Sequence, residues 1–177
     1  MRECGEAGVR TDVGGVALNL TSEADVRVAF DQMLASVKSK RPDAVIEGVT
    51  LQPMITAAHG VELLVGAKRD PVFGPVLLVG AGGVMAELLQ DRALELPPLD
   101  ERLARRMLES LRVWPLLQGY RGRPGVDVER LIEVLIRFAT LVTDWPELTE
   151  IDINPLLVTA DRLIALDARM CWQPARP

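Results

Sequence analysis

Residues 150–169, EIDINPLLVTADRLIALDAR, read as two strands joined by a tight turn. Isoleucines alternate with polar residues in the first half, and the apolar pattern breaks at Ala160 and Asp161 before it resumes. If these two residues form the turn of a β-hairpin, Asn154 lies directly opposite Asp167. Directly opposed side chains of an antiparallel pair have Cβ atoms about 4.5–5.5 Å apart. The stretch therefore predicts a hairpin that brings an amide and a carboxylate together.

An amide oxygen and a carboxylate in this arrangement suit a hard cation. Mg²⁺ commonly takes one or two protein oxygens and fills its remaining positions with water and phosphate oxygens. The simpler interpretation is a surface hairpin with a solvated polar face, because acidic residues on exposed strands are common. The hairpin alone leaves both interpretations open.

The composition describes a folded, acidic protein. The chain has 177 residues, of which 49% are apolar, so it is long enough to bury a sizeable core as one domain. A net charge of −5 does not favour attraction to the phosphates of nucleic acid, so we expect no nucleic-acid partner. A single histidine, His59, and the absence of a nucleophile elbow argue against hydrolysis of the triad kind.

Segments that would direct the chain to a membrane are not apparent. The sequence opens with no signal-like apolar run and contains no apolar stretch of transmembrane length. Cys4 and Cys171 lie at opposite ends without metal-ligand spacing. We therefore expect no membrane association, a cytoplasmic location and reduced thiols.

Capping residues and turn signals divide the chain into helices and strands. Ser22, with Asp25 three residues later, predicts the start of an amphipathic helix that Pro42 ends. Further helices are predicted after Asp100 and from about residue 127 to 144. Turn-like breaks separate three closely spaced predicted strands, which comprise residues 44–54, 61–70 and 74–80. Such short connections favour an antiparallel or mixed sheet, because parallel crossovers need about a dozen residues or more.

Two glycine-rich loops are candidates for contact with phosphate. Residues 80–83, GAGG, follow the third predicted strand and either present backbone N–H groups to an anion or form a plain bend. Their spacing matches neither a P-loop nor a Rossmann fingerprint. Residues 119–125, GYRGRPG, carry Arg121 and Arg123. Arginines on such a loop can grip a phosphate, although surface arginines are far more common than ligands.

Several long motifs in order resemble a known family. The chain contains GVELLVGAKRDPVFGPVLLVGAGGVMAELLQD, PLLQGYRGRP, EIDINPLLV and LDAR. This series looks like the later part of the ATP-grasp domain in NDP-forming acyl-CoA synthetases, the acetate–CoA ligase (ADP-forming) family. That family is related to the succinyl-CoA synthetase β subunit, and its nucleotide domain also occurs in bacterial protein lysine acetyltransferases.

The resemblance implies an α/β, ATP-grasp-like fold with a mostly antiparallel or mixed sheet and packed helices. It covers nearly the whole chain, so we expect a partial ATP-grasp domain over residues 11–170. Residues 1–10 then form a ragged start, and residues 171–177 form a C-terminal tail. Relatives carry an N-terminal lobe with a phosphate-holding lysine before this region, and we expect that lobe to be truncated here.

The resemblance also implies roles for individual residues. Asn154 and Asp167 match the family's Mg²⁺-binding asparagine and aspartate, and Glu62 matches an acidic nucleotide-binding position. Glu87 is expected near the phosphates and the metal. The remaining positions are expected to contact the nucleotide: Gln52, Pro53 and Met54 as the hinge over the adenine, and Lys68, Arg69 and Asp70 along the nucleotide cleft.

In the family, the overall reaction is acyl-CoA + NDP + phosphate ⇌ acid + CoA + NTP. The implied cofactors are Mg²⁺ and ATP or ADP. The implied partner is a CoA-binding ligase subunit or domain that supplies a phosphohistidine together with the missing ATP-grasp lobe. Without that lobe we expect the isolated chain to be inactive, because positioning for phosphoryl transfer is incomplete.

Two functions follow from the resemblance. The first is the nucleotide-binding and Mg²⁺-binding portion of an acyl-CoA ligase, the ADP-forming acetyl-CoA synthetase. The alternative is a non-catalytic remnant or a regulatory nucleotide-binding module, as in the ligase-like part of protein lysine acetyltransferases. A truncated lobe leaves apolar surface uncovered, so a homo-oligomer is also expected.

Overall fold

A computed structural model describes the protein over residues 14–55, 59–83 and 90–173. The chain divides into two compact units, with the boundary after residue 56. Within the described ranges, the helices are too short or too polar to cross a lipid bilayer.

The first unit contains one helix, α1, over Glu23–Lys40. The hydroxyl of Ser22 accepts a hydrogen bond from the backbone N–H of Asp25 at 3.1 Å. The carboxylate of Asp25 accepts one in return from the backbone N–H of Ser22 at 3.0 Å, which completes a capping box. The helix ends beside two lysines, which suit the negative end of its dipole. The predicted helix is confirmed.

The strand predicted over residues 44–54 is wrong. These residues are irregular, and their apolar side chains are largely exposed, with Val45 at 89% and Leu51 at 68%. A strand forms where neighbouring backbone groups complete its hydrogen bonds. Within the described part of the first unit, no second strand provides them.

The second unit is built on a six-stranded antiparallel sheet. The strands lie in the order β3-β2-β1-β4-β5, and β6 also pairs with β4. Their bounds are β1 Val61–Asp70, β2 Gly74–Ala81, β3 Arg92–Glu95, β4 Leu148–Val158, β5 Leu163–Ala165 and β6 Ala168–Trp172. The predicted antiparallel pairing of the strands at residues 61–70 and 74–80 is confirmed.

Three helices pack against one face of this sheet: α2 Glu101–Glu109, α3 Trp114–Gln118 and α4 Val128–Asp144. Alternate residues of β1, Leu63 and Val65, are buried with Leu108 and Leu131 of the helices in one hydrophobic core. The intervening β1 residues face the other side, because successive side chains of a strand alternate. The predicted sheet with packed helices is confirmed, and it leaves one polar face.

The C-terminal hairpin has the predicted register. The backbone N–H of Thr159 donates to the carbonyl of Arg162 at 2.9 Å, so Ala160 and Asp161 form the turn. The backbone N–H of Asn154 donates to the carbonyl of Asp167 at 3.1 Å. The predicted opposition of these two residues is therefore confirmed.

The prediction of reduced thiols is wrong for one residue. Cys171, in β6, is disulfide-bonded.

A buried carboxylate joins the sheet to the turn between α2 and α3. Asp91 is only 8% exposed, and its two oxygens accept the backbone N–H groups of Arg112 at 2.8 Å and Val113 at 2.9 Å. We expect Asp91→Ala to lower the free energy of unfolding by about 2–4 kcal/mol, because both donors lose their partner. Urea denaturation measures this loss. Asp91→Asn keeps one acceptor oxygen and should lower the free energy of unfolding by about half as much. A loss under about 0.5 kcal/mol for the alanine variant would contradict a stabilising role of these two hydrogen bonds.

Candidate functional site

Four polar side chains line a small open cleft, here called the polar cleft, of about 70 Å³. They are Asp152, Asn154, Asp167 and Arg169. Asp152 and Asn154 are two residues apart on β4, so they share a face of the sheet. The hairpin register places Arg169 opposite Asp152 and Asp167 opposite Asn154. The cleft therefore lies on the face opposite to the buried core.

The loop after β2 lies between the polar cleft and a further carboxylate, that of Glu62 in β1. The backbone N–H of Gly83 points at the side-chain oxygen of Asn154, with 3.5 Å between the two atoms. Gly83 has φ +58°, and a Cβ there would collide with the carboxylate oxygen of Glu62. Glu62 is in turn tied to the loop, because its carbonyl accepts the N–H of Gly82 at 2.8 Å. Glu62, Gly83 and Asn154 are therefore neighbours.

Sequence reasoning omitted Asp152 and Arg169 from the site. The sequence could have predicted their position, because Asp152 lies two residues before Asn154 and the hairpin register pairs it with Arg169. Burial raises the pKa of Asp152; the neighbouring Arg169 guanidinium opposes that rise, and the carboxylates of Glu150 and Asp167 add to it. The cleft thus collects acidic groups in a partly desolvated position.

Three β1 residues that are predicted along the nucleotide cleft do not line the polar cleft. Lys68 forms an exposed ion pair with Glu150 at 3.4 Å. The guanidinium of Arg69 donates to the carbonyl of Val142 at 2.7 Å, near the end of α4, and its Nε has no hydrogen-bond partner among the described residues. Asp70 closes the β1–β2 turn by accepting backbone N–H groups. The structure does not bring these three residues to the polar cleft, because strand alternation turns Arg69 toward the helices and Asp70 ends the strand.

The remaining predicted residues belong to the first unit or lie outside the described residues. Gln52, Pro53 and Met54 belong to the first unit, where all three are exposed, and their hinge role stays a prediction. Glu87 lies outside the described residues.

The donor set of the polar cleft fits Mg²⁺. The amide oxygen of Asn154 and the carboxylate of Asp167 are oxygen ligands, which this cation prefers, and the cleft is open to further ligands. Among the described residues, no group of three or more His, Cys, Asp or Glu side chains forms a closed metal cage. Mg²⁺ does not need one, because it usually keeps water and phosphate oxygens as ligands. Arg169 lies 3.9 Å from a carboxylate oxygen of Asp167, but half-exposed ion pairs of this kind are weak.

The raised pKa of Asp152 has a consequence for stability. The folded protein binds a proton at this carboxyl more tightly than the unfolded chain, so Asp152 stabilises the fold at acidic pH and costs stability at neutral pH. We expect Asp152→Asn to raise the free energy of unfolding at pH 7 by less than about 1 kcal/mol. Urea denaturation between pH 3 and pH 7 measures this effect.

Asp161, in the turn of the same hairpin, is the control, because its pKa is shifted in the opposite direction. A hydrogen bond from the hydroxyl of Thr159 lowers the pKa of Asp161, so its carboxylate stabilises the fold at neutral pH. Asp161→Asn should therefore lower stability at pH 7. If Asp152→Asn also lowered it, the attraction of Arg169 would outweigh burial.

Comparison with known proteins identifies the family. A family model described as an ATP-grasp domain matches residues 6–171. The chain is 39% identical over 161 residues to acetate–CoA ligase [ADP-forming] I of Archaeoglobus fulgidus, covering 91% of this chain and 23% of that protein. It is 35% identical over 161 residues to the β subunit of acetate–CoA ligase [ADP-forming] I of Pyrococcus furiosus, covering 91% of this chain and 68% of the subunit.

A solved structure shares the fold. The dinucleotide-forming acetyl-coenzyme A synthetase 1 of Ca. Korarchaeum cryptofilum, in complex with coenzyme A, Ca-AMPCP and HgCl+, superposes with a TM-score of 0.87 at 37% identity. The match covers 95% of this chain and 72% of that one. The expected fold and the expected family are therefore confirmed. The chain belongs to the ATP-grasp domain family, as an ATP-grasp region homologous to the ADP-forming acyl-CoA synthetases.

Proposed function

We propose that the polar cleft, together with Glu62, binds the Mg²⁺ complex of ADP or ATP. The observation that supports this proposal is the convergence of three oxygen-bearing side chains from separate parts of the second unit. Asn154 and Asp167 are opposed across the hairpin, and Glu62 lies against the Gly83 loop whose N–H points at Asn154. In this proposal Asn154 and Asp167 hold the cation.

The residues around the cation have separate tasks in this proposal. Bound Mg²⁺ neutralises charge on the phosphates of the nucleotide. Arg169 forms only a weak, half-exposed ion pair with Asp167, 3.9 Å long, so it competes little with the cation for that carboxylate. Asp152 adds negative charge beside the cation site. Gln52, Pro53 and Met54 are proposed to contact the adenine.

The acyl-CoA reaction as a whole is proposed to need more protein than this chain. The chain spans less than a quarter of the A. fulgidus ligase, and the P. furiosus relative is one subunit of its enzyme. We therefore propose that residues 11–170 provide nucleotide and metal binding for the reaction acyl-CoA + ADP + phosphate ⇌ acid + CoA + ATP. A CoA-binding subunit or domain supplies the phosphohistidine.

Calorimetric titration of the chain with ADP and with ATP, with Mg²⁺ and with EDTA, tests the proposal. We expect binding that is about tenfold or more tighter with Mg²⁺, because Asn154 and Asp167 would hold a cation that neutralises charge on the phosphates. Equal affinity in EDTA would place the nucleotide away from the polar cleft. The absence of binding under both conditions would contradict the proposal for this chain.

A further inference from the structure

The sheet of the second unit ends in a cluster of exposed apolar residues, here called the apolar end. β1 ends at Asp70, and β4 begins at Leu148, which pairs with Trp172 of β6, so these three strands share one end of the sheet. The loop that carries Gly82 lies at the opposite end. The apolar end comprises residues from three segments of the chain: Val72, Phe73, Leu141, Trp145, Met170 and Trp172.

The turn between β1 and β2 presents two of these residues outward. Val72 is 81% exposed and Phe73 is 68% exposed. A carboxylate oxygen of Asp70 accepts the backbone N–H groups of both residues, at 2.8 Å and 3.0 Å. These two hydrogen bonds fix the turn, as an aspartate at its first position commonly does. A turn that is already fixed loses little conformational entropy when it binds, which favours an interface.

Two tryptophans pack against each other at the same end of the sheet. The rings of Trp145, which follows α4, and Trp172, in β6, have centroids 5.7 Å apart and planes tilted by 54°. Both residues are nevertheless about half-exposed. Arg69, next to Asp70 in β1, donates to the carbonyl of Val142 in α4 at 2.7 Å. The end of α4 and the end of β1 are therefore joined beside the tryptophan pair.

Met170 extends the apolar surface along β6. It lies opposite Ile151, which belongs to the core, so Met170 and Trp172 are on the helix-covered face of the sheet. The helices do not reach this edge, because Met170 is 61% exposed. The helix-covered face is therefore open at the apolar end.

The area of the apolar end is that of an interface. If a fully exposed large apolar residue presents about 200 Å², the residues of the apolar end together expose about 700 Å². The largest apolar patch of an ordinary monomer is about 300–600 Å², whereas a specific interface buries about 800 Å² on each partner. Tryptophan is also enriched among the residues that dominate binding at such interfaces. The apolar end therefore fits a partner of protein size.

We infer that the apolar end is an interface between two copies of this chain. In a twofold dimer the same surface packs against itself, which an apolar surface does without needing opposite charges. The residues of the apolar end are all uncharged, so the contact brings no like charges together despite the net charge of −5 on each copy. This interface uses neither nucleotide nor Mg²⁺, so the inference stands apart from the proposed nucleotide function.

Analytical ultracentrifugation of the full chain over about 0.5–100 µM, without nucleotide or Mg²⁺, tests the inference. We expect a monomer–dimer equilibrium with a dissociation constant of about 1–10 µM, which an interface of this area supports. Tryptophan fluorescence should shift to shorter wavelength as the dimer forms, because Trp145 and Trp172 leave water. A monomer at every concentration, or an open series of larger assemblies, would overturn the inference.

Serine variants locate the interface. Phe73→Ser and Trp172→Ser should each weaken dimerisation about tenfold or more, because each removes a large apolar side chain from the contact. Phe73→Ser changes an exposed turn residue and keeps the backbone N–H that Asp70 accepts, so it should unfold in urea like the parent when both are monomeric. It should also bind Mg²⁺·ADP like the parent, so a failure of dimerisation and a failure of nucleotide binding are observed separately.

Two exposed leucines are the matched controls. Leu51, in the first unit, is 68% exposed, as Phe73 is, and Leu94 lies in β3 at the other edge of the sheet. Leu51→Ser and Leu94→Ser should dimerise like the parent. An equal loss in Leu51→Ser would move the contact to the first unit, where a truncated lobe would place it, and would overturn this interface. Parent-like dimerisation by both Phe73→Ser and Trp172→Ser would overturn it as well.

Discussion

Alanine at Asn154 or at Asp167 is expected to weaken Mg²⁺-dependent nucleotide binding about 100-fold, because each change removes a charged or polar ligand of the cation. The free energy of unfolding should change by less than about 1 kcal/mol, because neither side chain is buried in the core. The side-chain oxygen of Asn154 accepts only a long hydrogen bond, 3.5 Å from the N–H of Gly83. Alanine at either position should therefore weaken nucleotide binding and leave the free energy of unfolding nearly unchanged.

Calorimetric titration with Mg²⁺·ATP and a urea denaturation curve for each variant measure the two quantities. Asp161→Asn is the matched control, since it changes a carboxylate of the same hairpin at the turn, away from the polar cleft. Its affinity should equal that of the parent. Parent-like binding by either alanine variant would show that the cation, if bound, is held elsewhere.

Alanine at Gly82 is expected to lower the free energy of unfolding by about 2–4 kcal/mol. A Cβ at this position would lie 2.5 Å from the carbonyl carbon and 2.7 Å from the carbonyl oxygen of Leu63. These are backbone atoms of the central strand β1, so no side-chain rotation relieves the contact. The N–H of Gly82 also donates to the carbonyl of Glu62, and displacing the loop would break this hydrogen bond.

Thermal or urea unfolding measures this loss, and Gly74→Ala is the control. Gly74 has φ +75°, but its Cβ would meet no atom within 4 Å, so only the backbone conformation opposes the change. About 1 kcal/mol is expected there. If Gly82→Ala lowered the free energy of unfolding no more than Gly74→Ala does, the result would contradict tight packing of the loop on β1. Because the loop positions Glu62, Gly82→Ala should also weaken nucleotide binding.

The site shows why some predicted residues came together and others did not. Lys68, Arg69 and Asp70 are consecutive in a motif that resembles the family, yet the structure gives them separate tasks. Consecutive residues on a strand alternate between its two faces, so a continuous motif cannot place all of its side chains in one cleft. Arg69 instead caps the end of α4.

Short-range features were readable from the chain. A break of two residues between apolar runs set the hairpin register, which is why the opposition of Asn154 and Asp167 was predicted correctly. The helix starts at Ser22 and Asp100 followed from side-chain oxygens that accept backbone N–H groups three residues later. Each of these features depends on neighbours in the sequence, so local chemistry sufficed.

Only the tertiary structure shows which distant segments pair with one another. Glu62 approaches Asn154 because β1 pairs with β4 and the loop after β2 folds over both, and the β1–β4 register shifts between Leu63 and Val65. Residues 44–54 have a strand-like sequence, but no partner strand lies in the described part of their unit. Long-range pairing depends on the closure of long loops and on packing, and no local pattern encodes either. The local sequence therefore specified the hairpin, whereas the assembled sheet brought Glu62 to it.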